Sequence, residues 1–173
     1  ATATNATLQV AGIEFEMLKR DKARKRPITD AQWDALRRSC SKVLQLPAAS
    51  LEQRAIADLM IVESYSWQED GEKLLGAGTR FLETYTGDGV KKQIAVVHQL
   101  VGDELFTRSR PEEAIPHYRW IVNAFPDRKE FWPPGDNLAR TYFMLWRALR
   151  RMGAPAEEWK GLGETIKTDF ANS

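Results

Sequence analysis

Cysteine is almost missing from this protein, with Cys40 the single one in 173 residues. A lone thiol forms no intrachain disulfide and no multi-cysteine metal site, so neither staples the fold. Cys40 falls on an apolar stripe, where a buried and unreactive thiol is expected. Long apolar runs are missing too. No stretch approaches the about 20 apolar residues that cross a bilayer, so no membrane span is expected. Net charge is nearly absent at +1, which excludes a global field drawing in nucleic acid or an anionic membrane. Any electrostatic role must come from local patches.

Histidine is scarce, and the pair present, His98 and His117, fall on helical segments in different registers. Neither then has an evident partner. No His-Glu-x-x-His, paired Cys-x-x-Cys or phosphate-loop pattern occurs, so no catalytic residue, metal or cofactor is expected. The glycine-rich stretch GEKLLGAGTR, Gly71 to Arg80, follows no strand and lies within a helical period. Close helix packing is the reading for Gly76 and Gly78. Asn5-Ala6-Thr7 fits a glycosylation sequon, but three residues in a polar tail carry little information. The sequence opens on ATATNATLQV without methionine. That reads as a processed form or as a module of a larger, exported protein, and it leaves the compartment unassigned.

What is present is helical. Hydrophobic residues make up 43% of the sequence and charged ones 28%, an ordinary globular balance. A protein of this length buries roughly 70% of its unfolded surface, enough for one domain over 1–173 with 1–7 as a disordered tail. Apolar residues recur at three- and four-residue intervals in eight segments, and no segment alternates as a strand does. The first carries Val10, Ile13 and Met17. The second opens on the capping box Thr29–Gln32 and carries Trp33, Leu36, Cys40 and Val43. The third opens on Ser50–Gln53 and carries Leu51, Ala55, Leu59 and Val62. Leu74, Gly78, Phe81 and Tyr85 mark the fourth, which TGDG closes. Ile94, Val97, Val101 and Leu105 mark the fifth. The sixth opens on Ser109–Glu112 with Pro111 in its first turn, and its interior Pro116 predicts a late start or a bend. Leu138, Tyr142, Leu145, Leu149 and Met152 mark the seventh, and Trp159, Leu162, Ile166 and Phe170 the eighth.

Short loops between helices make neighbours antiparallel, so eight helices form four hairpins of about 40 residues each. A repeat of that length is the signature of a solenoid. Within it, Ala114 precedes Pro126 by twelve residues, and Ala35 precedes Pro47 by the same interval. The stretch VHQLVGDELFTRSRPEEAIPHYRWIVNAFPD, Val97 to Asp127, resembles a tetratricopeptide repeat. Gly102 and Ala114 match the small residues where its two helices approach, Tyr118 the aromatic between them, and Pro126 the helix-ending proline. TDAQWDALRRSCSKVLQLPAAS repeats the second half of the pattern through Ala35 and Pro47. From Ala55 to Thr86 the register departs, with Leu74 at the small position and Gly78 at the aromatic one. The resemblance implies an all-α, right-handed superhelical solenoid of about four antiparallel hairpins. The first helix of each hairpin would line a concave groove.

On that register the fifth helix contributes Val96, Gln99, Asp103 and Phe106 to the groove, and the seventh contributes Arg140, Phe143, Arg147, Arg150 and Arg151. Arginine forks match carboxylates, so the implied ligand is an acidic segment of a protein partner or that partner's own C-terminus. The competing reading is a solvated arginine-rich helix end, paired with Asp136 or with Glu157 and Glu158. Phe131 and Trp132, ahead of two prolines, read as a cap folded over the groove or as an exposed contact. The run KRDKARKR places six cations in the eight residues Lys19 to Arg26. It is a solvated helix end or, with Arg147 to Arg151, a phosphate grip. The expected function is a non-catalytic scaffold for a peptide or partner subunit. A nucleic-acid-binding helical domain is the rival, and a self-associating structural module the third reading.

Overall fold

A computed structural model of the protein describes residues 2–126 and 137–169. They form eight α-helices, and no strand occurs among them: α1 Thr2–Ala23, α2 Asp30–Gln45, α3 Leu51–Gln68, α4 Gly71–Thr84, α5 Lys91–Thr107, α6 Pro111–Ala124, α7 Asn137–Arg151 and α8 Ala156–Asp169. A short 3-10 turn, Asp88–Val90, precedes α5. The fold divides into two compact units, Ala1–Val97 and His98–Ser173, with the boundary inside α5. No helix of the described residues is long and apolar enough to cross a membrane.

In the first unit, α1 packs on α2, α2 on α3 and α3 on α4, and α1 also meets α3. The local signals that start these helices act as the sequence predicts. The Gln32 side chain accepts from Thr29 N–H at 2.9 Å. Gln53 accepts from Ser50 N–H at 2.8 Å, and Ser50 Oγ accepts from Gln53 N–H at 3.2 Å. The expected stripe of α2 is buried throughout, from Trp33 to Val43. Arg37 ties α2 to α3, donating to Ser64 Oγ at 3.1 Å and to Gln68 Oε1 at 2.8 Å.

α1 departs from expectation twice. Residues 2–7 are its first turns rather than a tail, and Thr4 is buried. Its core face is Ala11, Phe15 and Leu18, whereas Val10, Ile13 and Met17 point to solvent at 52%, 61% and 58% exposure. Two apolar stripes share this helix, and the aromatic one fills the core because it buries more surface. Leu51 and Met152 are exposed in the same way. In α4, Gly78 is buried as expected but Gly76 is exposed. A β-carbon at Gly76 would meet only Arg80 Nη1, at 4.0 Å, so close packing is not its reason.

In the second unit, α6 packs on α7 and α7 on α8. The Ser109–Glu112 box does not form. Ser109 takes a left-handed φ of 61°, Arg110 is the cap residue, and Arg110 grips Glu113 with two hydrogen bonds at 2.5 and 2.6 Å. α6 starts at Pro111 and continues through Pro116, which is exposed. The late start is therefore not what α6 shows.

Candidate interaction surface on the second unit

α5 and α7 each bury one face. On α5 this face holds Val101 and Leu105, and on α7 it holds Leu138, Tyr142, Leu145 and Leu149. The residues beside those faces meet. Asp103 is the hub: its Oδ1 accepts from Gln99 Nε2 at 2.9 Å and from the Tyr118 hydroxyl at 2.9 Å, and its Oδ2 accepts from Arg140 at 2.8 Å. The other end of the Gln99 amide accepts from the Thr141 hydroxyl. Burial pushes the Asp103 carboxyl above its usual range. The Arg140 guanidinium and the donated hydrogen bonds oppose that shift. The same burial, with the Asp103 charge alongside, raises the Tyr118 hydroxyl.

One turn further on, the arginines lie over aromatic rings. Arg147 stands 5.1 Å from the Phe106 ring centre and 5.6 Å from that of Phe143, and Arg151 lies 5.5 Å from Phe106. Two guanidinium groups thus share one ring. Arg151 also donates to Ser109 Oγ at 2.9 Å. Arg147 makes no ion pair among the described residues. Phe143 is 44% exposed.

Of the residues the sequence assigns here, Gln99, Asp103, Phe106, Arg140, Phe143, Arg147 and Arg151 therefore come together. Arg150 does not. It sits about 100° around the helix from Arg151 and stacks on Trp146 at 4.8 Å and on Trp159 of α8 at 5.3 Å. The pairing of this row with Glu157 and Glu158, which the competing reading called for, is not seen among the described residues. Glu158 instead receives Arg119 at 2.6 Å. Asp136, Phe131, Trp132 and Phe170 lie outside the described residues.

Four side chains of this unit escape a reading by pattern. Thr141 falls on the buried stripe yet carries a hydroxyl, and that was the available signal. Tyr118 reads as a packing aromatic, but its hydroxyl is what holds Asp103. His98 and His117 do find partners: their Nδ1 atoms are 2.8 Å apart, and His98 stacks on Trp120 with ring centres 4.4 Å apart. One imidazole must donate and the other accept, so at least one ring is neutral, and burial lowers the pKa of both.

The basic run on α1 is partly spent within the first unit. Lys19 pairs with Glu16, Lys22 with Glu69 at 2.9 Å and Arg26 with Asp21 at 3.1 Å. No protein-family model and no curated protein sequence matches this protein.

Proposed function

We propose that the protein is a non-catalytic scaffold, a right-handed solenoid of four tetratricopeptide-like hairpins, that holds an acidic peptide segment of a protein partner on the α5–α7 surface. The packing of helices on their sequence neighbours within each unit and the close fit of Gly102 under Tyr118 support the hairpin reading. The function rests on the placement of Arg147 and Arg151 over the Phe106 ring. Two like charges over one ring repel, and a carboxylate between them would relieve the repulsion and accept from both. Phe106 keeps the guanidinium planes oriented without consuming their outward donors. Arg140 is committed to Asp103, so it orders the floor of the site and does not take the ligand.

Titration calorimetry with an acidic peptide bearing a free C-terminus tests this, alongside an amidated copy and a copy with its acids replaced by lysine. Arg147→Glu should weaken the acidic peptide by tenfold or more while leaving the melting temperature unchanged. Equal binding by both proteins would remove the reading. The rival nucleic-acid reading requires RNA or DNA binding that falls steeply with salt. With three of the six cations of the basic run engaged internally, the peptide reading is the stronger.

A further inference from the structure

The geometry points to a second docking surface, on the outer face of α1, built for an antiparallel amphipathic helix of another protein whose first turns are acidic. Val10, Ile13 and Met17 stand exposed in a row. Exposed Ala3 and Ala6 extend that row towards the N-terminus. Arg20 continues it, as does Arg24, one residue past the end of α1, whose N–H still bonds the Arg20 carbonyl at 3.1 Å. The steps alternate between three and four residues along the whole row. A mean spacing of 3.5 is the period of a seam that a second helix follows turn by turn, whereas a helix packed on one globular core needs a wider stripe.

The core does not use this row. α1 already buries a complete stripe through Ala11, Phe15 and Leu18. A groove of about 680 Å³ runs beside the row, lined in part by Gly12, Phe15, Glu16 and Met60. Gly12 and Met60 both line it, and a β-carbon at Gly12 would only come into ordinary contact with Met60 Cε, at 3.9 Å. The groove's volume leaves room for a side chain from a facing helix to enter as a knob.

Charge decides the occupant and its direction. The seam is apolar at its N-terminal end and cationic at its C-terminal end, and neither Arg20 nor Arg24 makes an ion pair among the described residues. A helix running antiparallel brings its own N-terminus to these arginines. Glutamates in a first turn are stabilised by the dipole of their own helix, and here they would also meet the two guanidinium groups. A second copy of this protein fits poorly. α1 carries no acid in its first turn, so an antiparallel copy offers Arg20 and Arg24 only alanines, and a parallel copy stacks arginine on arginine.

The test uses the 173-residue protein and two synthetic helical peptides of about three heptads. Both have leucine at the a and d positions; one carries glutamates in its first two turns and the other carries lysines there. The glutamate peptide should bind, with at least a tenfold preference over the lysine peptide. Ile13→Glu should abolish binding, and the double variant Arg20→Glu/Arg24→Glu should reverse the preference. All three positions lie outside the core, so circular dichroism melts should match the parent, and Arg147→Glu should leave this binding intact. Failure of the glutamate peptide to bind, equal affinity for both peptides, or indifference to Ile13→Glu would overturn the proposal. So would a dimer in sedimentation that Ile13→Glu dissolves, since the occupant would then be a second copy.

Discussion

A β-carbon built on Gly102 would stand 2.9 Å from Cε1 of Tyr118. The tyrosine ring is fully buried and its hydroxyl is tied to Asp103, so it has nowhere to move. Gly102→Ala would gain about 1 kcal/mol of helix propensity and lose about 1–3 kcal/mol to overpacking. A net destabilisation of about 1 kcal/mol is the expected result by urea denaturation. Tyr118→Leu made in the same protein should erase that penalty, because the ring that clashes is gone.

The two faces of α1 give a sharper contrast. Phe15→Ala removes a ring that is 4% exposed and should cost about 3–5 kcal/mol. Ile13→Ala trims a side chain that is 61% exposed and should fall within about 0.5 kcal/mol of the parent. The reading of α1 from sequence expects the reverse order for its named stripe. Thermal melts of the two variants decide it.

That reversal shows where sequence reasoning stops. The eight helices, the α2 stripe and two of the capping boxes follow from periodicity and local chemistry, which act within a few residues. The meeting of Gln99, Asp103 and Phe106 with Arg140, Arg147 and Arg151 was legible too, because register on each helix fixes which side chains share a face. Choosing between two apolar stripes on α1 was not, since both satisfy a helical period and only the neighbouring helices select one. The His98–His117 contact was hidden for a related reason. It depends on the rotation of α5 against α6, which neither helix encodes alone. Arg150 fails by angle: one residue from Arg151 is enough to turn it onto Trp159.

Cys40 should be silent towards thiol reagents in the native protein. It is fully buried, and that burial, with the Glu14 and Asp58 charges nearby, pushes its thiol up to about 12. Reaction needs the thiolate, so labelling with a chromogenic disulfide should track unfolding in a urea series. Prompt labelling of the folded protein at neutral pH would contradict the packing of α2.

Acid should act on the two units in opposite directions. Burial, with His117 alongside, holds His98 down at about 3, against an ordinary 6.5. Between those values the unfolded state binds a proton that the fold refuses, so stability falls as pH drops from 6.5, by up to about 1.4 kcal/mol per pH unit. Glu63 runs the other way. Burial raises its carboxyl to about 7 from 4.5, with Lys19 opposing the rise and Glu16 adding to it. The fold then holds a proton that the unfolded state releases, so stability rises as pH falls through that window. Replacing one group should unmask the other. Glu63→Gln should make the protein lose stability more steeply on acidification from about pH 7 to about pH 5. His98→Phe, which keeps a ring against Trp120, should flatten or invert the same curve. Urea midpoints across that range provide the measurement, and parallel curves for the parent and both variants would show that neither group titrates differently in the folded protein.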